Sequence, residues 1–387
     1  MTHQQRWDAV MMPNYGTPPL ALDHGQGVHV WDVEGNEYLD FVGGIAVSAL
    51  GHAHPAIVDA VTRQVAKLAH TSNLVMHEPG IALAERLVGL LGVPARVFFS
   101  NSGAEANECA IKLVRKRGNG IGRTEIVATD NSFHGRTLGA LSITGNPPKR
   151  APFEPLPGPV SFVDFGDVEA VRAAVGPQTA GVFVEPTLGE GGVVPAPAGY
   201  LAAVRAICDE AGALMVVDEV QSGIGRTGHW FASQAEGVRP DIITLAKGLG
   251  GGLPIGACLG LGDAATIFAP GDHGSTFGGN PLGCAIARTA LRVLIEEKMV
   301  ERSAELGAYF LSRLQSLRST AIKEVRGKGL WIGIELHSKA RPYCEALKDE
   351  GILCKETHDH VIRIGPPLVV TREELDWAFE RIAKVLA

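Results

Sequence analysis

The stretch DIITLAKGLGGGLP, residues 241–254, decides the fold. Its first part, 241–246, reads as a short buried strand. A lone lysine, Lys247, stands where the strand stops, and Gly248, Gly250, Gly251 and Gly252 follow it. Glycines there remove side chains from around the amine, so backbone and ligand can meet it. A snorkelling surface lysine fits that setting poorly. Six further runs have the same texture: RVFFS (96–100), EIVATD (125–130), VSFVDF (160–165), GVFVEP (181–186), LMVVDE (214–219) and IGACLG (255–260). Helical patterns such as 103–117 and 198–211 lie between them. Short apolar strands alternating with helices predict an α/β architecture, with a mostly parallel seven-stranded sheet covered on both faces.

The flanks have another character. Residues 28–41, VHVWDVEGNEYLDF, read as a hairpin turning at Glu34, Gly35 and Asn36. Pro55 opens a helix with apolar positions Ile57, Val61, Val65 and Leu68. Beyond about residue 284 a long helical segment (284–317) leads to GLWIGIEL, HVIRIGPPL and a last helix, the pattern of a smaller α+β domain. The expected division is an N-terminal segment, 1–54, associated with the small domain; a large domain, 55–283; and a small domain, 284–387.

Composition excludes several classes. The chain of 387 residues carries 35 basic and 42 acidic side chains, a net charge of −7, and no basic run longer than Arg115–Arg117. Nucleic acid is therefore not an expected partner. No apolar run approaches the roughly 18–20 residues of a membrane helix. The N-terminus lacks the pattern of a secretion signal. Six cysteines contain no CxxC pair, and no HExxH or Cys/His ligand set occurs, so neither a disulfide framework nor a structural metal is expected. A reducing, cytoplasmic setting follows as an expectation.

In a parallel sheet, ligands sit beyond the carboxyl ends of the strands. Those ends deliver NSGAEAN (101–107), NSFHGR (131–136), TLGEGG (187–192), VQSG (220–223) and Lys247. Ser102 and Gly103 open a helix, where free N–H groups and the helix dipole suit a phosphate. By itself that pattern is an ordinary serine cap. Asp218 ends an apolar run, and a buried carboxylate needs a cationic or donor partner, such as a protonated ring nitrogen. A desolvated lysine loses its proton readily and can form an imine. Phosphate site, ring-nitrogen carboxylate and imine lysine together specify pyridoxal 5′-phosphate. A competing motif, GIGRTG (223–228), matches GxGxxG. It lies four residues past its strand, no apolar helix follows, and Asp241, 13 residues beyond Gly228, comes too early for the acid of a dinucleotide site.

Taken together, NYGTPPLAL, NSGAEANE, FHGRT, EPTLGEGG, DEVQSGIGRTG, LAKGLGGGLPIGA, HGSTFGGNP and VIRIGPPL resemble the class III, fold-type I aminotransferases over nearly the whole chain. The resemblance implies a role for each matching residue. Lys247 would hold the cofactor covalently and shuttle the proton. Asp218 would pair with the ring nitrogen, and Gln221 would touch the ring hydroxyl, with Glu219 and Val220 lining the site. Phe133 would stack on the ring, and Ser102, Gly103 and Ala104 would bind the phosphate. Thr276 would reach that phosphate from a second copy, making a homodimer the active unit, and Ser275 would contact substrate. Arg136 would bind the substrate carboxylate far from the reacting amine. Arg363 would bind the α-carboxylate of 2-oxoglutarate or glutamate, and Glu190 would pair with Arg363 when an ω-amino donor is bound. Glu185 would stand behind the cofactor site.

Within the family the chain is most similar to members that act on N2-acetylornithine, in arginine biosynthesis. Members acting on succinyl-diaminopimelate, ornithine or 4-aminobutyrate would share the same catalytic residues. Ile45 stands where ornithine-specific members carry a tyrosine, which implies a pocket for an acylated α-amine. Tyr15 is implied as a further substrate contact. Leu188, where relatives often carry glutamine, is a departure near Glu190.

Overall fold

The computed structural model describes residues 1–387. Its central sheet has seven strands, in spatial order Ala95–Ser100, Gly256–Leu261, Ile242–Leu245, Leu214–Asp218, Thr179–Val184, Glu125–Thr129 and Val160–Val163. Each corresponds to one of the seven expected runs. Only Gly256–Leu261 runs antiparallel to its neighbours. The central strands are mostly apolar because both faces are covered: every residue of Thr179–Val184, Leu214–Asp218 and Ile242–Leu245 is buried.

The helix Gly103–Gly120 starts at the N-cap Ser102 and packs across most of the sheet on one face, burying Cys109, Ala110, Leu113 and Val114. The helix Tyr200–Ala211 covers the other face through Tyr200, Leu201, Val204 and Ile207. It is bounded by two left-handed glycines, Gly199 (φ 80°) and Gly212 (φ 66°). All six cysteines are free and five are buried, which matches their reading as small apolar side chains. No helix is long and apolar enough to cross a membrane.

The hairpin His29–Asp32/Glu37–Asp40 forms as expected, with a further strand, Leu22–Gln26, on its outer edge. Its inner strand pairs with Ile352–Leu353 near the C-terminus. A second four-stranded sheet joins Ile322–Gly327, Ile332–Leu336, Val361–Ile364 and Lys355–Thr357, all antiparallel. The long helical segment of 284–317 is two helices, Pro281–Glu296 and Met299–Gln315, broken at Lys298 (φ 52°). The first packs on Pro55–Lys67 and Glu78–Leu91. One apolar cluster consequently runs from Leu83 and Leu245 through Leu291 to Phe310 and Ile382.

The GIGRTG loop belongs to that junction. Arg226 is fully buried and donates to the carbonyls of Leu330 (3.0 Å) and Pro366 (2.5 Å). Burial without a carboxylate partner brings its guanidinium down to about 10. Phe310, wholly buried, meets Phe41 edge-on at 6.3 Å. Truncation of such a ring costs roughly 3–5 kcal/mol. Phe310→Ala should therefore lower the urea midpoint by a corresponding amount, read from parallel unfolding curves of variant and wild type.

Candidate active site

The parallel strands bring their carboxyl ends to one edge, and a cavity of about 450 Å³ opens there. Register explains how Asp218 and Lys247 share it. Asp218 pairs with Thr244 on the adjacent strand, so three more residues carry the chain to Lys247 beyond the edge. Lys247 sits at φ 43°, a left-handed conformation that costs a non-glycine residue of order 1–2 kcal/mol. The antiparallel strand Gly256–Leu261 begins at the same edge, so the glycine loop before it also closes the cavity.

Of the residues singled out in the sequence, Ser102, Gly103, Ala104, Phe133, Arg136, Asp218, Val220, Gln221 and Lys247 line this cavity. Ser102 Oγ accepts the N–H of Glu105 at 3.2 Å, whereas the N–H groups of Gly103 and Ala104 have no partner in the chain. Gly103 packs so closely on Val220 that a Cβ would lie 2.7 Å from its Cγ1. Gln221 Nε2 is buried without an acceptor. The Lys247 amine makes no hydrogen bond or ion pair in the chain. Burial, helped by Arg363 and opposed by Glu190, Asp218 and Glu185, brings it down to about 8.

Asp218 is held by residues to which sequence reasoning gave no role. Its Oδ2 accepts from Asn107 Nδ2 and contacts His134 Nδ1, both at 2.7 Å, and its Oδ1 accepts the Val220 N–H at 2.9 Å. Burial alone would lower the His134 imidazolium, but bonded Asp218, aided by Glu185, leaves it raised. Glu185 accepts the N–H groups of Phe133 (2.9 Å) and Gly189 (3.4 Å). Its burial and the Asp218 charge push it up to about 7 against the pull of His134. Both Asn107 and His134 lie within motifs already singled out, NSGAEAN and NSFHGR. A polar residue one helical turn inside the phosphate helix was the available signal.

Arg363 lies on the buried strand Val361–Ile364 and donates to Glu190 at 2.5 Å. The backbone around Glu190 is fixed from the C-terminal part. Thr357 Oγ1 donates to the Glu190 carbonyl at 2.7 Å, and Arg326 donates to that of Gly192 at 2.8 Å. Asn101 lines the cavity and reaches Ser275 Oγ at 3.3 Å, while Thr276 is exposed beside it.

One expectation needs correction. Glu219 does not line the site. Its carboxylate points away and accepts from the N–H groups of Ala232 (2.5 Å) and Ser233 (2.9 Å) and from Ser233 Oγ (2.7 Å), pinning the following loop. Ile45 stands at φ 66° in a kinked turn, 38% exposed, two residues before Val47 at the cavity wall. Tyr15 is 83% exposed on the N-terminal arm.

The low position of Lys247 has a direct readout. Amine-directed labelling of the protein alone, followed by peptide mass mapping, should show Lys247 reacting with a midpoint near about 8, below the ordinary lysine value of 10.5. A midpoint at the ordinary value would remove burial as the controlling effect.

Comparison with known proteins gives a consistent result. An acetylornithine aminotransferase of Mycolicibacterium smegmatis is 53% identical over 387 residues, all of this chain and 98% of the relative. The structure of the Toxoplasma gondii ornithine aminotransferase described with partial occupancy of PLP at its active site superposes with a TM-score of 0.95. It is 36% identical, over 99% of this chain and 92% of that one. The crystal structure of acetylornithine aminotransferase from Elizabethkingia anophelis gives 0.88 at 36% identity, over 99% and 97%. The family model for aminotransferase class-III matches residues 10–386, so a lysine on a strand end, a carboxylate on the next strand and almost the entire chain around them have one origin: the chain belongs to the class III aminotransferases.

Proposed function

We infer that the chain is a pyridoxal-phosphate-dependent 5-aminotransferase. It moves the terminal amine of N2-acetylornithine to 2-oxoglutarate, giving N-acetylglutamate 5-semialdehyde and glutamate. The observation that carries this reading is the ion pair between buried Arg363 and partly exposed Glu190, whose two charges both act on the Lys247 amine. Curated relatives named for this activity, at 48–55% identity over nearly the whole chain, support the choice of donor.

The residues present fit the cofactor. Two free N–H groups at a helix start suit its phosphate. The orphan Gln221 Nε2 suits its ring oxygen, and the part-filled Asp218 carboxylate suits its ring nitrogen. When bound, pyridoxal phosphate supplies the electron sink that lets a C–H bond beside nitrogen ionise. The chain supplies the rest. Asp218, made rigid by Asn107 and His134, keeps a negative charge at one place in the cavity. Phe133 presents its ring to the same space. Lys247 Nζ accepts and returns a proton, a task suited to an amine brought near the working pH. Arg136 binds the donor's carboxylate. Arg363 binds the acceptor's α-carboxylate once Glu190 has swung away, and a guanidinium fork serves this better than an ammonium.

A homodimer completes the reading. Thr276, Tyr15 and the apolar residues Leu74 (93% exposed) and Met76 (90%) face outward, placed to meet a second copy. Free cysteines fit a cytoplasmic setting. Ornithine as donor is the second reading, favoured by the close superposition on the Toxoplasma enzyme. A titration of the visible cofactor band decides between them. With N2-acetylornithine the band should bleach at lower concentration than with ornithine, succinyl-diaminopimelate or 4-aminobutyrate, and 2-oxoglutarate should restore it. Lys247→Ala should abolish turnover, and full activity in that variant would sink the assignment.

A further inference from the structure

A second feature near the cavity bears on the choice between an acylated donor and a free diamino acid. Two cations share the Phe133 ring: the Arg136 guanidinium lies 5.6 Å from its centroid and the Lys149 ammonium 5.3 Å. Neither makes a hydrogen bond or ion pair in the chain. Lys149 is half-buried on the four-residue helix Pro147–Arg150, held by the Asn146 cap. Burial and the charges of Arg136, Lys355 and Arg363 all oppose its proton, and Glu190 alone favours it. Glu190 is already committed to Arg363. The end of the site beyond Phe133 is therefore rich in unpaired positive charge. Such a place favours a carboxylate and a neutral amide, and it disfavours a second ammonium.

We propose that Lys149 is a specificity-determining residue, which beside Arg136 on the Phe133 ring admits a donor whose α-nitrogen is an acylated, uncharged amide and repels one whose α-nitrogen is a free ammonium. The proposal rests on the functional reading above and deepens it. Arg136 alone cannot discriminate in this way, because a single cation is neutralised by the carboxylate it binds. A second cation on the same ring remains to face the neighbouring nitrogen. Selectivity is here a cost imposed on the wrong ligand, not an added contact for the right one.

The test compares the holoenzyme with Lys149→Met and Lys149→Arg, using the bleaching of the cofactor band in the half-reaction with single donors. The donors are N2-acetylornithine, ornithine and 5-aminovalerate, which has the same carboxylate and terminal amine but no α-nitrogen. Lys149→Met should raise the efficiency of ornithine relative to 5-aminovalerate by about tenfold, a size expected when one nearby charge is removed from a partly buried site. The ratio of N2-acetylornithine to 5-aminovalerate should change little, and Lys149→Arg should keep the wild-type ratios. An unaltered band position in each variant checks that the site has folded. An unchanged ornithine ratio in Lys149→Met would overturn the proposal. A wild-type enzyme that prefers ornithine would instead overturn the functional reading, before any variant is measured.

Discussion

The structure turns on a buried negative charge. Asp218 is almost wholly removed from water, and an isolated carboxylate there would cost several kcal/mol even after relaxation. Three donors compensate it, from three separate pieces of chain: Asn107 on the helix that crosses the sheet, His134 on the loop after Glu125–Thr129, two strands away, and the Val220 N–H. Placing those donors together requires the parallel sheet, because only there do several strand ends converge on one edge. The fold and the charge are thus mutually dependent. Glu185, a second buried carboxylate close by, stands near the limit of what this neighbourhood will keep ionised, as its rise to about 7 shows.

Much of this was legible in the sequence, for physical reasons. Strands buried on both faces must be apolar without interruption, and helices between them must be amphipathic, so all seven strands stood out. Lys247 and Asp218 stood out because each breaks an apolar run. Glu219 misled for the same reason. Two successive carboxylates end one strand, but consecutive side chains point to opposite sides, so only one of them can face the cavity. The left-handed turn at Ile45 was not legible, because no periodicity announces that conformation in an isoleucine. Asn107 left only the trace of a polar residue on a buried helix face, while His134 and Lys149 lie on a loop and a single short turn, positions that leave no pattern.

Strain gathers around the same edge. Lys247 and Ile45 both occupy the left-handed region without being glycine. Such conformations persist only where the surroundings over-determine them. For Lys247 the surroundings are a buried strand behind and a glycine-rich return strand ahead. That arrangement turns the chain at the point where the amine must enter the cavity instead of the sheet.

The proposed exchange of Glu190 for a substrate carboxylate on Arg363 is compatible with what is fixed and what is free. A buried pair that loses one partner costs about 3–5 kcal/mol, because a charge is left alone. Arg363, on a buried strand, cannot leave. Glu190 keeps 29% of its side chain exposed, so its carboxylate can move toward water without being stranded. Its backbone does not have to follow, since Thr357 and Arg326 hold the carbonyls of Glu190 and Gly192. Swapping one carboxylate for another leaves the number of buried charges unchanged, so most of that cost never arises. In the proposed cycle, a side-chain rotation against an anchored loop would be sufficient to let one cavity accept a donor that leaves Arg363 paired and an acceptor that needs it free.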